Sequence, residues 1–176
     1  MTIRPERPDD RAAIRAVLQA AFPTSAEADL VDILRDHPPP MLSLVAEVES
    51  VVLGYLLFSP VTMEGHPTLR LMGLGPLAVL PASQNKGVGT ALVQAGLAQS
   101  RARGDRAVVV LGHPRYYPRF GFQPSDRFGI RSEFDVPAEV FMVVELVPGS
   151  LPATGGLVRY HAAFNTFAAR AEPRSA

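Results

Sequence analysis

The stretch VLPASQNKGVGTAL, residues 79–92, lies where an apolar segment passes into one with helical periodicity. Upstream, LRLMGLGPLAVLP (69–81) is predicted to be a long buried strand that its glycines or proline bend. Downstream, apolar residues at helical spacing predict a helix from about Gly87 to Arg103, with Gly104 as its stop. The predicted apolar stripe comprises Val88, Ala91, Leu92, Ala95, Ala98 and Ala102. Glycines therefore stand at a strand-to-helix junction.

This junction has the physical properties of an anion site. The first N–H groups of a helix lack intrahelical partners, and the macrodipole makes that end partly positive. Glycine lets an anion approach the backbone closely, and Lys86 adds a nearby cation. The segment is not a Walker A loop, because Lys86 precedes Gly87. On these residues alone, a phosphate-binding loop and a plain tight turn both remain open.

A second glycine pattern, GLGPLA at 73–78, satisfies a relaxed dinucleotide-binding fingerprint. That fingerprint must open a helix, with an acid about 20 residues further on. Here the chain stays apolar and reaches Pro81 before any helix begins. We therefore interpret these glycines as bends in a buried strand.

The remaining elements surround this centre. Thr2–Arg4 is a short strand candidate, and a helix is predicted from Asp9 or Asp10 to Pro23. The spacing of Thr24 and Glu27 has capping-box form and predicts a second helix, ending before HPPP at 37–40.

Further strands are predicted on both sides of the central helix. MLSLVAEVESVVLGYLLFSPV (41–61) predicts a hairpin that turns near Glu49 and Ser50. AVVVLG (107–112) predicts a strand buried on both faces, and EVFMVVELV (139–147) predicts another. Strands around a strand–helix–strand crossover predict an α/β (α+β) protein with a mixed sheet.

Composition excludes several classes of protein. The formal net charge is zero, which gives no support for nucleic acid or an anionic membrane as partner. No cysteine is present, so disulfides, thiolate metal sites and cysteine nucleophiles are excluded, and the four histidines lack metal-ligand spacing. The N-terminus lacks an apolar signal core and no apolar run approaches membrane-spanning length. We expect a cytoplasmic protein without a metal, with one domain over 1–165 and a C-terminal tail over 166–176.

The junction resembles the acyl-CoA-binding signature of the GNAT superfamily of N-acetyltransferases, Gln/Arg-x-x-Gly-x-Gly/Ala. Gln84, Gly87 and Gly89 match its defining positions, and Pro81 matches the usual lead-in. The resemblance implies that the loop and helix start hold the coenzyme A (CoA) pyrophosphate, and that the preceding strand pairs with the pantetheine arm. The implied cofactor-binding residues are Leu77, Ala78, Val79, Gln84, Asn85, Lys86, Gly87, Val88, Gly89 and Thr90.

A second match lies downstream, in RYYPRFGF (115–122). It resembles a GNAT segment whose tyrosine, here Tyr117, acts in many members as the general acid that protonates the departing CoA thiolate. Tyr116 is adjacent and could take that role, and a purely packing role for both rings also stays open. Together with EVFMVVELVPGSL and VRYHAAF, the segment is similar to an uncharacterised bacterial branch of predicted acetyltransferases.

The family also implies a fold and a catalytic base. The implied fold is a mixed, mostly antiparallel twisted sheet of about six to seven strands, flanked by about four helices, with splayed central strands. The base in the family is commonly a glutamate on the strand that here reads LRLMGLGPLAV, which carries no acid. The alternatives are a water relay, a substrate amine that is already neutral, or one of Glu64, Asp32, Asp36 and His37. For His113, a role in orienting the substrate and a purely structural role both stay open.

The resemblance thus implies an enzyme that transfers acetyl directly from acetyl-CoA to an amine of unknown identity. A non-catalytic acyl-CoA-binding regulatory module is the alternative, favoured by the missing strand glutamate. A nucleotide-phosphate binder is a third reading of the loop. Acetyl-CoA and an amine are the expected partners, and a homodimer is one option for an oligomeric state that the sequence leaves open.

Overall fold

A strand, a helix and a parallel strand form the centre of the fold. We describe residues 1–36 and 41–165 of a computed structural model. Strand β4 (Leu71–Val79) leads into helix α3 (Val88–Ala102), which leads into strand β5 (Ala107–Leu111). Leu71–Leu74 pair in parallel with Ala107–Val110, and β4 then continues to Val79. The crossover is as predicted, and the pairing stops where splayed central strands would separate.

The other described elements are β1 (Thr2–Pro5), α1 (Arg11–Ala21), α2 (Ala26–Arg35), β2 (Leu42–Val48), β3 (Val51–Met63), β6 (Gln123–Pro124), β7 (Ile130–Ser132), β8 (Phe141–Glu145) and β9 (Gly156–Arg159). The sheet has nine strands among the described residues, against six to seven predicted. The added strands are short, with two to four residues each in β6, β7 and β9. Pairing is parallel for β4–β5 and β7–β9, and antiparallel for β1–β2, β3–β9, β5–β8 and β6–β8, which confirms a mixed, mostly antiparallel sheet.

The described chain divides into two compact units. The first contains residues 1–57, 76–92 and the described residues from 161 onward; the second contains 58–75 and 93–160. The single domain expected over 1–165 stays a prediction, and the expected tail over 166–176 lies outside the described residues. No helix in the described ranges is long and apolar enough to cross a bilayer.

Helices α1 and α2 build the core of the first unit. Among the apolar positions that predict these helices, Ala21 is half-buried and the other six are buried, namely Ile14, Val17, Leu18, Leu30, Val31 and Leu34. They pack with Val45, Tyr55 and Leu57 of the β2–β3 hairpin and with Ala78 near the end of β4. The hairpin turns through left-handed Glu49 and Ser50 (φ 47° and 65°), as the two-residue turns that suit strand twist require.

The prediction of a capping box at the start of α2 is wrong. Ser25 is the N-cap residue, and its side chain caps no backbone N–H. Its hydroxyl instead donates to Asp29, while the hydroxyl oxygen of Thr24 accepts from the Ala26 N–H at 3.3 Å. Glu27 therefore does not form the capping box that its spacing from Thr24 predicted. The HPPP segment proposed as the end of this helix lies outside the described residues.

The buried face of α3 differs from the predicted alanine stripe. Val88, Leu92, Val93, Gly96 and Ser100 are buried, whereas Ala98 and Ala102 are exposed. Val88 and Leu92 of the predicted stripe lie on this face, and Gly96 and Ser100 were missed because they carry no apolar signal.

Gly104 ends α3 as predicted. With φ at 84°, it lets its own N–H donate to the Arg101 carbonyl (2.9 Å) and the Asp105 N–H donate to the Ser100 carbonyl (3.2 Å). These two bonds make a Schellman motif. The Asp105 carboxylate, 2% exposed, accepts from the Ser100 hydroxyl at 2.7 Å and from Arg70 at 3.0 Å. Asp105 therefore ties the helix end to the start of β4.

Replacing Asp105 tests this tie. Asp105→Ala leaves the Ser100 hydroxyl and one Arg70 N–H without their acceptor, so we expect unfolding to become easier by about 1–3 kcal/mol. Urea denaturation measures the change, with Asp126→Ala as a control at an exposed acid of the same unit. Equal stability of the two variants would contradict the assignment.

Candidate active site

The loop between β4 and α3 holds two left-handed residues. After one 3₁₀ turn at Pro81–Ser83 and an extended Gln84, Asn85 and Gly87 have φ values of 59° and 83°. A Cβ built on Gly87 would meet no atom within 4 Å, so the backbone dihedral, and not crowding, favours glycine there. The space beside the Gly87 Cα is therefore open.

Two side chains brace this loop from within. The Gln84 amide donates from Nε2 to the Val79 carbonyl at 3.1 Å, which ties the loop to the last residue of β4. The Lys86 ammonium donates to the Ala82 carbonyl at 2.8 Å. Both contacts hold the loop in one shape.

The start of α3 offers backbone donors. The Ala91 N–H donates to the Gly87 carbonyl at 3.0 Å, which makes Gly87 the first acceptor of the helix. The N–H groups of Val88, Gly89 and Thr90 consequently precede the first intrahelical donor. Such groups, at the positive end of the helix dipole, suit a phosphate oxygen.

Gly54 on β3 contacts the first turns of α3, and it was not among the residues that the sequence pointed to. A Cβ on Gly54 would lie 3.0 Å from side-chain atoms of both Val88 and Leu92, and 3.1 Å from the Ala78 carbonyl oxygen. The missing side chain thus lets the first turns of α3 close onto the strands. A glycine inside an otherwise apolar strand was the available signal.

Tyr117 lies in the second unit, in a 3₁₀ turn (Tyr117–Phe120) that follows β5. Its ring is 8% exposed and packs edge-on against Tyr116 and Phe122, with centroids 5.1 and 5.5 Å away. A Cβ on Gly112 would lie 2.2 Å from the Tyr117 ring, so the ring occupies the space that a side chain would take. Burial, with a smaller contribution from Tyr116, raises the pKa of Tyr117, and the phenol stays protonated at neutral pH.

Tyr116 is the other tyrosine considered for the acid role. Its ring lies under Arg119, whose guanidinium carbon is 4.6 Å from the ring centroid, and Arg119 also donates to the Tyr116 carbonyl. Tyr116 is only half-buried. Tyr117 is therefore the more buried of the two tyrosines considered for the acid role.

The acids suggested as bases are mostly engaged or exposed. Glu64 pairs with Arg159 at 2.5 Å, and Asp32 pairs with both Arg15 and Arg35 at 2.6 Å. Asp36 and His113 are exposed, and His37 lies outside the described residues.

Glu27 on the first turn of α2 differs from these acids. Its Oε2 atom is buried without a hydrogen-bond partner, and burial raises the pKa of the carboxyl group. The neighbouring Ala28 and Phe22 pack in the same apolar cluster as Ala78 of β4. In the sequence, the spacing of Glu27 from Thr24 suggests a capping role and so gives no sign of a buried acid.

Residues 11–122 match the model of the acetyltransferase (GNAT) family. The chain belongs to this family. It is 39% identical over 168 residues to the uncharacterized N-acetyltransferase YhbS of Escherichia coli K12, covering 95% of this chain and 100% of YhbS. Membership confirms the predicted acetyl-CoA-dependent N-acetyltransferase and the similarity to an uncharacterised bacterial branch.

Solved structures of GNAT proteins agree with this fold. YhbS from Escherichia coli in complex with CoA superposes with a TM-score of 0.88 at 38% identity, covering 93% of this chain and 91% of that one. A GNAT acetyltransferase from Brucella melitensis in complex with acetyl-CoA has a TM-score of 0.77 at 41% identity, covering 93% and 97%. In the described part of the chain, no group of three or more His, Cys, Asp or Glu residues is arranged to hold a metal ion.

A double-mutant cycle tests the fit of Tyr117 on Gly112. Gly112→Ala places a methyl group where the ring lies, so we expect it to destabilise the protein by about 1–3 kcal/mol through overpacking. In a Tyr117→Ala background the same substitution should cost much less, because the ring is gone. Denaturant unfolding measures all four proteins, and equal penalties in both backgrounds would show that the ring does not fill this space.

Proposed function

We propose that the loop Gln84–Thr90 holds the pyrophosphate of acetyl-CoA, and that Leu77, Ala78 and Val79 pair with the pantetheine arm. The observation that carries this proposal is the left-handed turn at Gly87, which opens the backbone beside the unpaired N–H groups of Val88, Gly89 and Thr90. The CoA and acetyl-CoA complexes of the two relatives support it. The enzyme then transfers acetyl directly to an amine whose identity is open.

Direct transfer has a defined sequence of bonds. The neutral amine nitrogen attacks the thioester carbonyl carbon, and the charge that develops on the carbonyl oxygen is stabilised by a backbone N–H near Val79. The C–S bond then breaks, and the departing thiolate takes a proton from the Tyr117 phenol. The amine nitrogen loses one proton to a base, which leaves an amide and free CoA.

Glu27 is the described acid that fits the role of this base best. One of its carboxylate oxygens is buried without a partner, whereas Glu64 and Asp32 are committed to arginines. Burial raises its pKa, which makes the carboxylate a stronger base than an exposed one. Proton transfer takes place directly or through one water molecule.

We further propose a cytoplasmic location, where acetyl-CoA is made. The homodimer stays a prediction.

The pyrophosphate assignment is tested with two matched glycine variants. Gly87 and Gly149 both have left-handed backbones (φ 83° and 74°) and open space around the Cα, so alanine imposes a similar strain at each. We expect Gly87→Ala to weaken CoA binding about tenfold or more, because a methyl group faces the pyrophosphate. Gly149→Ala should bind CoA as the wild type does. Calorimetric titration measures both, and equal affinities would count against the loop.

The acid assignment is tested by removing a single hydroxyl. Tyr117→Phe should lower kcat by about 10²–10⁴ while acetyl-CoA still binds, because the leaving thiolate loses its proton donor. CoA release with a panel of amines measures turnover, and Tyr116→Phe is the control. Full activity of Tyr117→Phe would end this assignment, and retained binding without turnover in every protein would favour the regulatory-module alternative.

The base assignment predicts a change in the pH profile. In the wild type, kcat/KM should fall as pH drops below the raised pKa of Glu27, because the protonated carboxyl group accepts no proton. Glu27→Gln should lose most of the activity, and its kcat/KM should no longer fall at low pH, whereas Asp32→Asn should keep that fall at low pH.

Stability provides a second readout: a raised pKa means that the folded state is favoured at low pH and loses this advantage as pH rises. Glu27→Gln should therefore gain stability over the wild type at neutral pH, and an unchanged acidic limb would exclude Glu27 as the base.

A further inference from the structure

A cavity of about 550 Å³ opens in the second unit, at the C-terminal end of α3. The turn between β3 and β4 forms one wall, the Gly104–Arg106 connection another, and the segment after β8 a third. The volume lies in the range of small-molecule sites. None of the cofactor-binding residues proposed above lines this cavity.

The polar groups that line the cavity are donors and cations. Arg70, Arg106 and His66 lie in the lining together with the hydroxyl groups of Thr68 and Ser150, and none of the described lining residues carries a carboxylate. The adjoining acid, Asp105, is buried and already accepts hydrogen bonds from Arg70 and Ser100. The lining therefore carries two guanidinium groups, and that of Arg70 is paired with Asp105.

Arg106 combines a fixed backbone with an uncommitted side chain. Its N–H donates to the Arg70 carbonyl at 2.8 Å, and its carbonyl accepts from the Leu146 N–H at 2.8 Å and the Ser150 hydroxyl at 3.0 Å. Its guanidinium is exposed and makes no hydrogen bond or ion pair with any described residue. The backbone is fixed and the guanidinium is free to make bidentate contact with phosphate or carboxylate oxygens.

The simpler explanation, that arginines here complement the dipole of α3, accounts for Arg106 poorly. Cations in the last turn of a helix do stabilise its C-terminus. The final carbonyls of α3 are already bonded to the N–H groups of Gly104 and Asp105, and Arg106 lies beyond the helix at the entrance to β5. The Arg70 side chain has a structural role because it pairs with Asp105, whereas the Arg106 side chain makes no such contact with the described residues.

We propose that this cavity binds a small anion bearing phosphate groups or paired carboxylates, with the guanidinium groups of Arg106 and Arg70 as its principal contacts. His66 and the hydroxyl groups of Thr68 and Ser150 complete the donor set. The Nε2 atom of His66 lies 3.0 Å from the Thr154 hydroxyl, which orients the imidazole at the cavity edge. The site is formed by different residues from the pyrophosphate loop and stands independently of it.

The test is a calorimetric titration of the full chain, first saturated with CoA so that its own pyrophosphate fills the loop. Inorganic pyrophosphate and citrate are titrated separately, and the stronger of the two identifies phosphate or carboxylate as the preferred group. Arg106→Gln should weaken binding about tenfold or more. Arg106→Lys should weaken it less, because lysine keeps the positive charge but lacks the planar guanidinium that donates two parallel hydrogen bonds. Arg131→Gln, at an exposed arginine of the same unit outside the cavity, is the matched control.

The outcomes are distinct. Binding that falls in Arg106→Gln and is kept in Arg131→Gln supports the site. Absence of binding at millimolar anion, or equal weakening by both substitutions, would overturn it and leave only a solvated arginine surface. A failure of CoA to saturate the protein would instead concern the pyrophosphate loop, and the Arg106 and Arg131 comparison would still decide the cavity.

Discussion

The close approach of α3 to Gly54 is the constraint on which the donor site depends. Because Gly54 has no side chain, Val88 and Leu92 pack against β3, and the helix begins directly after the left-handed Gly87. The hydrogen bond from Gln84 to the Val79 carbonyl then fixes the loop to the end of β4. Two backbone dihedrals and one absent side chain therefore position the N–H groups that we propose receive the pyrophosphate.

The sequence predicts most of the long elements, because their signals are periodic and local. Apolar spacing located α1 and α2, and the turn at Glu49 and Ser50 was marked by the break between two apolar runs. Strands β6, β7 and β9 are too short to show a period, so the strand count was low. The capping box failed because Thr24 and Glu27 have the right spacing without the required backbone position, Ser25 being the N-cap.

The residues of the candidate site also fall into those with a local sequence signal and those without one. The loop at Gln84–Thr90 could be predicted, since glycine reports directly on backbone conformation and the motif is contiguous. Gly54 matters through contacts with residues distant in the sequence, Gly112 through the way a turn folds the Tyr117 ring back onto it, and Glu27 through burial that no local pattern encodes. The α3 face shows the same limit, because a buried serine that bonds Asp105 resembles a surface residue in a hydropathy pattern.

The fit of Tyr117 onto Gly112 has a consequence for related sequences. A ring atom lies 2.2 Å from where a Cβ at position 112 would be, so the two positions share one volume. We expect them to change together in evolution: a homologue with a larger residue at 112 must shrink or relocate the aromatic ring at 117. Under the proposal that Tyr117 protonates the leaving thiolate, such a homologue would need another proton donor, so the residue at 112 would indicate which donor is used without itself taking part in the chemistry.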